Sequence, residues 1–318
     1  MYLNASNLIH GLGALLFAAG LLLSVVAWLW GPPVWNALRR QRIRRQPFPP
    51  AWRDILRRRM PALAQMPADV QLQLKKLAQV LIAEKPFIGC AGLVVTDEMR
   101  VLVSVQAALL LLRRGAGYYP QLRQVLIYPG AFVVDRSNAG AAGLVHQERR
   151  ALAGESWQQG QVLLSWQDVL AGAADPHDGH NVVIHEFAHQ LDQESGAANG
   201  APWLREPARR ARWAQVLGHE FQALQERLAH KESDWESESE PEPEPGSGSG
   251  SGSGLIEPYA ATNAAEFFAV VSELFFEKPA ELALAHRALF VEFCGYYGVN
   301  PMHWIGSTAT RPVSEKSH

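Results

Sequence analysis

The pentapeptide His185-Glu186-Phe187-Ala188-His189 constrains this chain more than any other stretch of its 318 residues. On a helix, side chains four positions apart are neighbours, so both imidazoles can reach a single cation. Glu186 falls about 100° round the helix, close enough to handle the proton of a metal-bound water without being a ligand. Neutral imidazole is a good zinc ligand, and a hydrolytic site needs three protein ligands plus one open position for water. Val183, Ile184, Phe187, Ala188 and Leu191 make the rest of the circumference apolar. Such a helix is buried, with its His/Glu side facing a cleft. The competing reading is a buried helix whose two histidines are merely hydrogen-bonded.

Two imidazoles leave a metal under-coordinated, so a third ligand must come from elsewhere. The extended signature that supplies a third histidine requires Gly at 192 and His at 195. This chain has Asp192 and Ser195, which excludes it. A Glu on a later helix is the remaining common solution. Residues 262–276 offer Glu266 and Glu273 on one stripe, two turns apart. The same spacing suits the solvent face of an amphipathic helix, together with Asn263 and Glu277, and the residues alone leave the choice open. Asp192 either orients a ligand imidazole or faces solvent in the last helical turn. His177 and His180 read as loop residues. The run 161–168 reads as a cleft-edge strand on which an extended peptide could add.

Along the chain, residues 8–30 carry no formal charge apart from His10. They exceed the ~20 residues that a helix needs to cross a bilayer. Trp28, Trp30 and Trp35 would sit at one interface, and Arg39, Arg40, Arg42, Arg44 and Arg45 follow. No basic residue precedes the span, so the positive-inside rule puts the N-terminus outside and the body in the cytoplasm. A cleaved signal peptide would want a basic start, a shorter apolar core and a small-residue cleavage site, none of which is evident. The expected organisation is an anchor over 1–35 and a basic connector over 36–66 that lies against anionic headgroups or is simply solvated. A folded domain over 67–305 and a loose tail over 306–318 follow. Within the domain, helices are expected over 68–85, 97–113 (capped by Thr96 or Asp97), 179–195, 205–230, 262–276 and 279–297. Short strands are expected over 92–96, 123–128, 131–134, 143–146 and 161–166. Helices, a small sheet, the motif helix and further helices make an α+β order.

Seven acidic residues lie in 231–244, and Gly-Ser repeats continue to 254. That composition reads as a flexible insertion. Apart from this run and the arginine cluster, little of the net charge of −2 is concentrated, and nothing suggests a nucleic-acid surface. Cys90 and Cys294, with no C-x-x-C, read as two small buried side chains in a reducing compartment.

Three blocks carry a family likeness: 92–100, 183–192 and Pro258-Tyr-Ala-Ala-Thr-Asn-Ala-Ala-Glu-Phe-Phe-Ala-Val-Val-Ser-Glu-Leu-Phe-Phe276. Over roughly 50–305 the chain resembles the Mlc titration factor A family, zinc-dependent peptidases distantly akin to the catalytic domain of anthrax lethal factor. The resemblance implies a zincin-like metallopeptidase domain with a small central sheet and a helical C-terminal part, holding one Zn²⁺ per chain. By position it makes His185, His189 and Glu266 the metal ligands and Glu186 the general base. Tyr259 is placed with its phenol toward the metal, and Glu273 becomes a supporting carboxylate. It also implies a peptide or protein substrate with an aminopeptidase-like preference. As an alternative partner it implies a glucose-responsive transcriptional repressor held by a regulatory module, with no direct nucleic-acid contact. The span at 8–30 and the 231–254 insertion depart from the family's usual pattern. With the span, the expected location is the bacterial inner membrane, single-pass, with the catalytic domain on the cytoplasmic side.

Overall fold

The computed structural model describes residues 5–114, 117–130, 160–237 and 254–305. Two compact units divide the chain, residues 1–47 and 48–318. The first is a single 41-residue helix, α1 (Ala5–Arg45), containing Pro32 and Pro33 and ending on Arg42, Arg44 and Arg45. Many of its described apolar side chains stand exposed, among them Leu15, Leu16, Phe17, Leu21, Leu22, Trp30 and Trp35. Residues 8–30 lie within α1, although the side chains of 5–14 and of several later positions fall outside the described residues. Among the described residues, no helix is long and apolar enough to cross a membrane.

The second unit begins at Phe48, earlier than the boundary expected near residue 67. Helix α2 (Pro50–Arg59) buries Ile55 and Leu56 and packs on the helix that follows β1, so residues 48–66 of the expected connector belong to the folded body. Helix α3 (Ala68–Glu84) spans the expected stretch. It precedes strand β1 (Phe87–Gly89), which lies just before the strand expected at 92–96. Gly92 turns with φ +79°, and residues 93–96 run as a loop into the N-cap of α4 (Asp97–Leu109). Thr96 caps that helix by accepting from the Met99 amide, as expected.

Strands β2 (Gln124–Tyr128) and β3 (Gln161–Ser165) complete a parallel sheet of order β1-β2-β3. Phe87 is opposite Val125, and Gln124 opposite Gln161. Parallel neighbours cannot be joined by a hairpin, and α4 accordingly lies between β1 and β2 in the chain. The expected strands at 131–134 and 143–146 and the tail at 306–318 lie outside the described residues. Ser165 ends β3 and caps α5 (Trp166–Ala174) through its hydroxyl.

Next come α6 (Val182–Asp192), α7 (Pro207–Ser237), α8 (Ala264–Glu277), α9 (Pro279–Ala285), α10 (Arg287–Tyr297) and α11 (Met302–Ile305). The helix expected over 279–297 is broken at His286, whose ring contacts Glu220 at 2.9 Å. Helix α7 continues to Ser237, so the first seven residues of the expected insertion are helical. Residues 238–253 lie outside the described residues.

Helix α6 packs against α8, α4, α5 and β3, with Val183, Ile184, Phe187, Ala188 and Leu191 all buried. Behind α8 sits an aromatic layer. Trp213 of α7 stacks on Phe293 of α10 at 5.2 Å, and Phe268 of α8 meets both rings at 5.9 and 5.7 Å. Burial of each such side chain stabilises the fold by about 1.5–3 kcal/mol. With this slab on one side and α6 on the other, every residue of α8 from Ala265 to Glu277 is buried. The polar stripe of α8 is therefore not a solvent face.

Candidate metal centre

Each chemical group of the site is placed by a local device. Asn181 caps α6, its Oδ1 accepting from the Ile184 amide at 3.0 Å. Asn263 caps α8 by accepting from the amides of Ala265 and Glu266, which fixes Glu266 in the first turn. The helix dipole there favours a carboxylate. Tyr259 sits on the short 3₁₀ turn Pro258–Ala261 that leads into α8, its ring stacked at 6.1 Å on the His185 imidazole.

Packing of α6 on α8 brings three donor atoms together. His185 Nε2 lies 3.0 Å from Glu266 Oε2 and 3.2 Å from His189 Nε2, and His189 Nε2 lies 3.5 Å from the same carboxylate oxygen. Zinc bonds of 2.0–2.1 Å in a tetrahedron put neighbouring donors about 3.3 Å apart. The observed separations match that edge length, so the residues fit a zinc ion, and among the described residues these three form the group able to hold one. His185 Nδ1 faces Glu273 Oε1 at 2.7 Å, which reserves Nε2 for the centre.

The electrostatics show the same demand for a cation. Burial opposes charge on His185, but the carboxylates of Glu273 and Glu266 overcome it and raise its pKa well above the ordinary value. Burial holds His189 down to about 4, so it stays a neutral donor. Glu266 is also penalised by burial, yet the two imidazoles pull its pKa below the usual carboxylate range. A single positive charge is thus already stabilised where the three donors converge.

The centre opens on a cavity of about 510 Å³ lined by His185, Glu186, Tyr259, Glu266, Leu163 and Ser165, among others. Ser165 marks the carboxyl end of β3, the side of a parallel sheet where ligands commonly bind. Glu186 is 7% exposed and lines this cavity, on the helix that carries both histidines.

Asp192 has neither of the roles expected for it. It is fully buried, and its Oδ2 accepts from the Gly200 amide at 2.7 Å. Gly200 has φ +73°, and a Cβ there would lie 2.4 Å from the Ala264 carbonyl oxygen. Asp192 therefore pins a loop whose glycine touches the first turn of α8, two residues before Glu266. His180 lines the cavity and pairs with Glu257 at 3.3 Å, while His177 stays in the exposed loop. Sequence reasoning missed Asn181 and Gln106 and placed Glu277 only on a possible solvent face, but the three join beneath α6: Asn181 Nδ2 donates to Gln106 Oε1 at 2.8 Å and to Glu277 Oε1 at 2.9 Å.

An uncharacterized protein of Synechocystis (slr2042) is 37% identical over 283 residues, covering 89% of this chain and 96% of the relative. Mlc titration factor A of Yersinia pestis is 33% identical over 276 residues, covering 84% and 92%. The sequence pattern of the glucose-regulated metallo-peptidase M90 family matches residues 35–298, a span that takes in both histidines, Glu186, Tyr259 and Glu266. With that match across most of its length, the chain belongs to the M90 family of glucose-regulated metallopeptidases.

Proposed function

We propose that this protein is a zinc-dependent peptidase, with His185, His189 and Glu266 holding the ion and Glu186 serving as general base. The observation that carries the reading is the triangle of donor atoms at tetrahedral spacing on a cavity that Glu186 also lines. A bound zinc ion supplies Lewis acidity toward water and toward the scissile carbonyl. Glu186 accepts the proton of the attacking water and passes it to the departing amine nitrogen, so the proton balance closes on one carboxylate. Tyr259 donates its phenol hydrogen to the carbonyl oxygen as charge builds there. Glu273 accepts from His185 Nδ1 and holds that ring in one orientation. An extended substrate lies along β3, whose Leu163 and Ser165 line the same cavity, and pairs with it as an added strand. A free amino-terminal residue is the favoured substrate end.

The body is tethered through α1 to the bacterial inner membrane, with the peptidase on the cytoplasmic side. The 23 uncharged residues at 8–30, the exposed leucines of α1 and the arginines that follow support this. A second reading draws on the name of the Yersinia relative: the body binds a transcriptional repressor, and the ion has a structural part. Glu186→Gln separates the two. Loss of peptide cleavage with zinc content and fold retained supports the peptidase. Undiminished cleavage by that variant refutes Glu186 as the base, and a cellular effect untouched by the substitution favours the binding module.

A further inference from the structure

The identity of residue 181 is not explained by its cap. A helix cap needs one acceptor, and Ser, Thr or Asp would serve as well as Asn. Here the acceptor end is used on Ile184, and the two hydrogens of the donor end face three acceptors. Asn181 Nδ2 reaches Gln106 Oε1 of α4 at 2.8 Å, Glu277 Oε1 of α8 at 2.9 Å and the Gly172 carbonyl of α5 at 3.3 Å. Its backbone N–H donates to Glu273 Oε2, whose other oxygen receives His185 Nδ1. Its carbonyl accepts from the His185 amide at 2.9 Å. The residue is only 4% exposed. One side chain therefore ties α6 to α4, α5 and α8 at the point where the first histidine starts.

Gly172 supplies an independent sign that this fit is built. A Cβ at 172 would come within 3.1 Å of Asn181 Nδ2, 3.2 Å of its Cγ and 3.3 Å of its Cα. Glycine inside α5 costs about 1 kcal/mol of helix propensity relative to alanine, and at this position it lets the Asn181 amide approach.

We propose that Asn181 is a positioning residue for the metal centre. It sets the register of α6 against α8, so that Glu273 meets His185 Nδ1 while Glu266 meets Nε2. The proposal rests on the ligand assignment made above. Only Asn meets both demands. Asp would present a charge to Glu277 and to the carbonyl oxygen of Gln106, and Ser is too short to reach either.

The test is zinc competition on the full-length chain with a chromophoric chelator, alongside melting of the metal-free protein. The variants are Asn181→Ser, Gly172→Ala and Glu273→Gln, together with the Asn181→Ser/Glu273→Gln double variant. Asn181→Ser keeps a cap, and its zinc affinity is expected to fall about 10–100-fold, as is usual when a group supporting a ligand is lost. Gly172→Ala should weaken zinc in the same direction although alanine favours the helix. In the double variant the part of the Asn181 effect that runs through Glu273 should vanish, so the two changes together cost less than their sum. Zinc affinity of Asn181→Ser and Gly172→Ala within about twofold of wild type, or effects of Asn181→Ser and Glu273→Gln that add, would overturn the proposal. If Asn181→Ser folds poorly, Gly172→Ala carries the same test. A wild type that takes up no zinc overturns the ligand assignment itself, and this proposal with it.

Discussion

Glu277 offers a stability test that depends on the buried floor of the site. It is 5% exposed, and its Oε1 accepts from Asn181 Nδ2 while Oε2 is buried with no hydrogen-bond partner. Burial first, then the charges of Asp178 and Glu273, raise its pKa from 4.5 to about 8, against the opposing bond from Asn181. Between those values the folded protein holds a proton that the unfolded chain has released, so unfolding sheds a proton and stability falls as pH rises. The contribution is complete below pH 4.5 and is lost progressively up to about pH 8. One unit of displacement is worth about 1.4 kcal/mol, so the whole amounts to about 5 kcal/mol. About 3.5 kcal/mol of it falls between pH 5 and pH 8. Glu277→Gln mimics the neutral acid and keeps an acceptor for Asn181. Urea unfolding of wild type and variant at half-unit steps of pH, with zinc fixed, should show the variant gaining on wild type by about 3.5 kcal/mol over that range. Parallel curves would refute the reasoning, because they would mean that Glu277 is ionised in the folded protein at neutral pH.

Tyr259→Phe should lower kcat about 100-fold with little change in KM and no loss of zinc, as removal of one oxyanion donor does; steady-state kinetics on a short peptide checks this. Phe268→Ala, at the centre of the layer formed with Trp213 and Phe293, should cost about 3–5 kcal/mol in chemical denaturation. A topology reporter fused after residue 46 should report the cytoplasmic side, and periplasmic signal there would reverse the proposed orientation of the body.

What could be read from the chain follows the range of the interactions. That the two histidines and Glu186 share one helix was legible because the spacing is local to about one turn, and a cap at Thr96 or Asp97 was legible for the same reason. Glu266 and Glu273 could not be told from a solvent stripe, since only the packing of α6 on one side and of the Trp213, Phe268 and Phe293 layer on the other shows that α8 has no solvent side. The family resemblance singled out Glu266, and the structure brings its carboxylate to 3.0 Å from His185 Nε2. The strand near residue 92 was displaced to Phe87–Gly89 because an extended loop and a strand share the same alternation, and only pairing with β2 distinguishes them. The break at His286 leaves no trace in the apolar pattern of 279–297. Asn181 was not singled out by the sequence, because three of its partners lie 75, 9 and 96 residues away. Asp192 was misjudged for the same reason: its partner is the backbone of a loop, Gly200, that no side-chain pattern announces.

The central claim is that His185, His189 and Glu266 hold one zinc ion together. Elemental analysis of purified wild type, His189→Ala and Glu266→Ala, each checked for fold by circular dichroism, tests it most directly. One zinc per wild-type chain, and a loss of at least nine-tenths of it in each folded variant, is the expected result on removing one of three protein ligands. Zinc retained at full stoichiometry by either variant, or absent from wild type after zinc reconstitution, would contradict it.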